Sequence, residues 1–117
     1  MSLTVLVCGG RGVAPPYLTA ALDAFHAANG ITLVIHGGAL GVDVAAGTWA
    51  SRRGIPYRIW QAEWNRLGHT AGRIRNAQML AEGKPDVVLG FPGGAGTAHM
   101  LGLARAAGVL TLEVIEP

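Results

Sequence analysis

At 117 residues, half of them apolar and only 14% charged, the chain fits one compact domain (1–117) with a real core and no room for a second. The formal net charge of +2 argues against a protein built around nucleic acid, and the single cysteine, Cys8, excludes a disulfide framework and any multi-cysteine metal site. A mean hydropathy of +0.37 is a surplus of apolar surface for a small monomer, so a homo-oligomer, dimer or tetramer, is expected.

The predicted elements alternate along the whole length. Leu3–Cys8 is a short apolar strand, followed by the turn Cys8-Gly9-Gly10-Arg11-Gly12 and an Ala- and Leu-rich helix over Pro15–Asn29. Ile31–His36 is the second strand; the turn His36-Gly37-Gly38-Ala39-Leu40-Gly41 leads into a helix over Gly41–Arg53. A third strand, Pro56–Trp60, runs into the long polar connection Gln61–Thr70, which ends at Thr70 as the expected N-cap for a helix over Ala71–Glu82. Asp86–Gly90 is the fourth strand, Pro92-Gly93-Gly94-Ala95-Gly96-Thr97 the third glycine turn, Ala95–Ala107 the fourth helix and Val109–Val114 the last strand. Gly30, Gly54, Gly83 and Gly108 stand just past the four helices, where a left-handed C-terminal cap is wanted. No basic region precedes a signal-type apolar core, and no apolar run approaches bilayer length, so a cytoplasmic protein without membrane contact is expected.

Strict β-α alternation predicts an α/β fold of the Rossmann-like, doubly wound type: about five parallel strands, mostly buried on both faces, with helices on both sides. In such sheets ligands sit beyond the carboxyl ends of the strands, and all three glycine turns fall there. None matches a P-loop or a Gly-x-Gly-x-x-Gly fingerprint. The third would still aim free backbone N–H groups and the Thr97 hydroxyl at one spot, with the helix dipole favouring negative charge. A phosphate is the natural occupant. The competing role, a tight strand-to-helix turn, needs fewer glycines than Gly93, Gly94 and Gly96 supply.

The Pro-Gly-Gly-Ala-Gly-Thr string resembles the signature of the SLOG superfamily, which includes the cytokinin-activating LOG phosphoribohydrolases and the DNA-processing protein DprA. The order His36-Gly37-Gly38-Ala39-Leu40-Gly41-Val42-Asp43, then Ala71-Gly72-Arg73-Ile74-Arg75-Asn76, then Phe91 to Ala98 is similar to the YspA/cpYpsA-related branch and spans nearly the whole chain. The resemblance implies a Rossmann-like fold binding nucleotides or nucleotide-derived ligands. It makes Arg75 the match to the LOG catalytic arginine, and it places Met100 where LOG enzymes carry the catalytic glutamate. A thioether performs no acid–base chemistry, so LOG-type N-glycosidic hydrolysis is put in doubt and no catalytic residue is assigned.

Six of the nine basic residues lie between Arg52 and Arg75 with one acid, Glu63, among them. A solvated face accounts for Arg52, Arg53 and Arg66. Arg75 with Asn76 is the first choice for phosphate or ribose, against a salt bridge to a partner subunit; Arg73, two residues earlier, does not share its face. Two roles are open to Asp43, bracing the start of its helix or holding a ribose hydroxyl, and the resemblance favours the second. Arg11 is either a second anion contact or solvent-exposed. Trp60 and Trp64 are core or interface aromatics more readily than base-stacking platforms, and His99 reads as a surface or interface histidine. His36, Glu63, His69 and His99 lack metal-ligand spacing, and no cofactor is expected.

The expected binding set is Gly9, Gly10, Arg11, Gly37, Gly38, Asp43, Arg75, Asn76, Pro92, Gly93, Gly94, Gly96 and Thr97. The expected function is to hold a nucleotide or nucleotide-derived ligand, ADP-ribose-like or a nucleoside monophosphate, as a sensor or sequestering protein. The alternatives are a phosphoribohydrolase with another carboxylate, such as Asp43 or one from a neighbouring subunit, and single-stranded nucleic-acid binding, which the low charge disfavours.

Overall fold

The computed structural model describes residues 2–117. Its frame is a five-stranded sheet of order β3-β2-β1-β4-β5, with β1 at Leu3–Cys8, β2 at Ile31–His36, β3 at Tyr57–Ile59, β4 at Val87–Gly90 and β5 at Leu110–Glu113. All neighbours are parallel, with Leu6 opposite Ile35 on one side and Val88 on the other. The order follows from the connections. Right-handed crossovers carry the chain outward from β1 through β2 to β3, then back across to β4 and outward again.

Helices α1 (Leu18–Asn29) and α2 (Val42–Arg52) cover one face; α4 (Ala71–Gly83) and α5 (Ala95–Ala106) cover the other. The pleat sorts β1 accordingly. Val5 and Val7 pack with Leu22, Ala46 and Trp49, while Leu6 and Cys8 pack with Met79, Met100 and Ala104. Burial on both faces explains why the central strands read as unbroken apolar runs. The edges differ from that expectation: Tyr57, Ile59, Leu110 and Leu112 are exposed, because β3 and β5 each have one neighbour and incomplete helix cover.

The long connection is not plain loop. It contains a four-residue helix, α3 (Trp64–Leu67), and a 3-10 turn, Gly68–Thr70, that runs straight into α4. Thr70 therefore caps nothing; its hydroxyl donates to Leu67 O at 2.8 Å. Left-handed glycines follow α1, α2 and α5 at Gly30, Gly54 and Gly108, but α4 extends through Gly83 and Lys84 takes the left-handed position with φ of 47°. No helix among the described residues is long and apolar enough to cross a membrane.

Candidate functional site

The strand order reverses between β1 and β4, and their carboxyl ends open a crevice there. The loops around it are tied to one another. Gly10 N–H donates to Pro92 O at 2.9 Å, Val42 N–H to Gly10 O at 3.1 Å, and Phe91 N–H to Cys8 O at 2.8 Å. These approaches need bare backbone: a Cβ on Gly41, whose φ is +85°, would run into Gly10 O and Gly12 O. One on Gly93 would lie 2.8 Å from Gly10 N.

The result is a cavity of about 380 Å³. Gly9, Gly10 and Arg11 line it from the β1 loop, Asp43 from α2, Arg75 and Asn76 from α4, and Gly94, Gly96 and Thr97 from the start of α5. Val7, Cys8, Met79 and Met100 supply apolar lining. Four of the expected residues stand elsewhere. Gly37 lies behind Arg75, Gly38 borders a separate hollow beside β3, and Pro92 and Gly93 face a third near the end of β5. Gly37 and Gly93 thus have packing roles, as backing for Arg75 and as the seat of the β1 loop.

Arg75 is buried, with 8% of its surface exposed, and has no ion-pair partner among the described residues. Its Nη1 donates to Gly37 O, and its Nε to Asn76 Oδ1 at 3.0 Å. Asn76 also braces: its Nδ2 donates to Gly96 O at 3.2 Å and lies 3.2 Å from His99 Nδ1. It therefore holds the α5 turn against α4. His99, one helical step before Met100, faces this bridge and not the cavity floor.

Asp43 is 6% exposed, and its Oδ2 accepts the Ala39 N–H at 3.2 Å. It braces the β2 loop and lines the cavity at once, so the two roles open to it are compatible. Burial pushes its pKa up, against the opposing pull of the Ala39 N–H and the Arg75 cation. Arg75 is shifted down by burial and held up by Asp43. Cys8 is pushed to about 12 by burial, with Asp43 adding and Arg75 opposing, so its thiol is an inert part of the wall.

The α5 turn completes the site. Gly94 precedes the helix with no side-chain cap, leaving the first-turn N–H groups without that partner. A Cβ at Gly94 or Gly96 would meet nothing within 4 Å: these two glycines keep space open, whereas Gly93 allows packing. Trp60 is core, its Nε1 donating to Glu82 at 3.0 Å; Trp64 is exposed, with the Arg11 guanidinium 4.9 Å from its ring centre. No three His, Cys, Asp or Glu among the described residues gather as a metal site. Sequence reasoning missed Met79, though it lies one helical turn past Arg75 and so on the same face.

Residues 3–67 match the family model described as "YspA, cpYpsA-related SLOG family". The chain is also similar to the Gene 61 protein of Mycobacterium phage D29, 36% identical over 94 residues that cover 74% of each chain. With a match over more than half its length, this chain belongs to the YspA, cpYpsA-related SLOG family.

Proposed function

We propose that the cavity binds a nucleotide or nucleotide-derived ligand, and that the protein acts as a sensor or sequestering protein for it. The observation that carries this reading is the pairing of unlike walls. An uncapped helix start with two space-keeping glycines faces a buried, unpaired arginine and a buried carboxylate. The ligand's phosphate lies on the Gly94–Thr97 turn, where N–H groups and the helix dipole meet it, with Arg75 neutralising its charge. A ribose hydroxyl donates to Asp43. The size of about 380 Å³ falls within the usual range for small-molecule sites. Holding a ligand needs no acid at position 100, where Met100 is 1% exposed.

Native mass spectrometry of freshly purified protein, followed by calorimetry against the nucleoside monophosphates and ADP-ribose, tests the reading. A retained or titratable nucleotide supports it; no binding across the panel overturns it.

Asp43 favours a second reading. It is the one carboxylate lining the cavity among the described residues, and burial raises its pKa above the usual carboxylate value. In a phosphoribohydrolase it would assist water in splitting the N-glycosidic bond. Release of free base from a nucleoside monophosphate, lost in Asp43→Asn, is the required result, and intact nucleotide at high enzyme concentration removes it.

A further inference from the structure

A smaller hollow of about 190 Å³ adjoins the main cavity, sharing the Gly96 turn, Arg11 and Arg75 with it. It continues outward to Trp64, Arg73 and His99. Its walls stand where α4 meets α5. The Asn76 bridge to Gly96 and His99 closes one side, and the Trp64 ring, 3.2 Å from where a Cβ on Gly72 would sit, closes the other.

The charge here is one-sided. No Asp or Glu lines the hollow, whereas three arginines and two histidines do. Neither Arg11 nor Arg73 has an ion-pair partner among the described residues. Arg11 lies over Trp64, which holds its guanidinium beside the opening. The pKa of His99 is pushed down, by burial first and then by the Arg73 cation. Uncompensated cations around a hollow continuous with the main cavity attract further negative charge.

We propose that this hollow is a second anion subsite that takes the β-phosphate of a nucleoside diphosphate whose first phosphate lies on the Gly94–Thr97 turn. The protein thereby selects diphosphates over monophosphates. Arg73 and Arg11 are the contacts, and Trp64 positions Arg11. This inference rests on the nucleotide reading above.

Calorimetry at fixed salt with matched nucleoside mono- and diphosphates of each common base, and with phosphate and pyrophosphate alone, tests it. The wild type is expected to bind the diphosphate at least about tenfold tighter. Arg73 is exposed, so Arg73→Ala is expected to fold normally, to bring the diphosphate within about twofold of the monophosphate, and to leave monophosphate affinity unchanged. Trp64→Ala lowers the preference in part. Equal wild-type affinities, or an Arg73→Ala loss shared equally by both ligands, overturn the subsite. If no nucleotide binds, an Arg73-dependent preference for pyrophosphate keeps the subsite while the nucleotide reading falls; absence of that preference removes both.

Discussion

His36 sits 2% exposed at the end of β2, its Nδ1 accepting Gly38 N–H at 3.0 Å and its Nε2 without a partner among the described residues. Burial, and then the Arg75 charge, lower its pKa from 6.5 to about 4. A histidine kept neutral by the fold binds protons less tightly than in the unfolded chain. Its contribution is therefore fully present above about pH 6.5 and lost as pH falls toward 4. In urea unfolding, the wild type is expected to lose about 2 kcal/mol more than His36→Gln between roughly pH 7 and pH 4.5. Equal losses would mean that the ring protonates freely in the folded state. A second test concerns Arg75. A Cβ on Gly37 would lie 2.6 Å from the Arg75 guanidinium carbon, at the movable end of a side chain. Gly37→Ala is expected to leave the fold intact and weaken nucleotide binding about ten- to hundredfold, the range for displacing a charge-assisted contact. Unchanged affinity in a calorimetric titration would remove Arg75 from the site. At this scale the sequence was partly legible. Arg75 and Asp43 stand out as charged residues next to glycine turns or a helix start. Gly37 was read as crevice lining because a glycine does not say which neighbour needs its missing Cβ, and Cys8, Met79 and Met100 look like any apolar core positions.

Helix ends carry the next level of argument. Gly96 lies in the first turn of α5, where a Cβ has open space on its protein side and the backbone borders both cavities. Gly96→Ala is expected to stabilise the protein by about 0.5–1 kcal/mol through helix propensity, while the added methyl lowers ligand affinity. Thermal unfolding and calorimetry on the same sample separate the two effects; a stabilised variant with wild-type affinity would move the phosphate off this turn. At the far end of α4, Lys84 holds a left-handed conformation that glycine adopts without steric cost. Lys84→Gly is expected to gain about 0.5 kcal/mol in urea unfolding, the relieved strain exceeding the extra chain entropy lost on folding, and Lys84→Ala to change little. The elements themselves were legible because apolar runs, Ala-rich stretches and glycine stops agreed. The ends of α4 were not. The ten-residue connection before it, Gln61–Thr70, hid a short helix and a 3-10 turn with no apolar period, and the left-handed step slipped one residue, from Gly83 to Lys84.

For the whole molecule, composition announced a surplus of apolar surface, and the structure concentrates part of it at the sheet edges. Tyr57 and Ile59 are each 44% exposed on β3; on and after β5, Leu110 is 57%, Leu112 39% and Ile115 74% exposed. Leu110 and Leu112 lie on one face of a strand whose outer N–H and C=O groups have no sheet neighbour. The sequence could not show this, since Leu-Thr-Leu reads alike in a central strand and at an edge. Only the 3-2-1-4-5 order, set by crossovers that reverse once, puts the last strand outside. An apolar, unpaired edge is open to a further strand, and a second copy of the chain seated there would extend the sheet and cover the leucines together. Sedimentation equilibrium is expected to give at least twice the 12.1 kDa protomer mass, and a charge on the edge, Leu112→Lys, to shift the protein toward the monomer. The cavity opens at the centre of the sheet, between β1 and β4, so the same variant is expected to keep wild-type nucleotide affinity. A monomeric wild type at every concentration would mean that the edge stays bare. A monomeric variant that also loses its ligand would mean that the neighbouring copy completes the site.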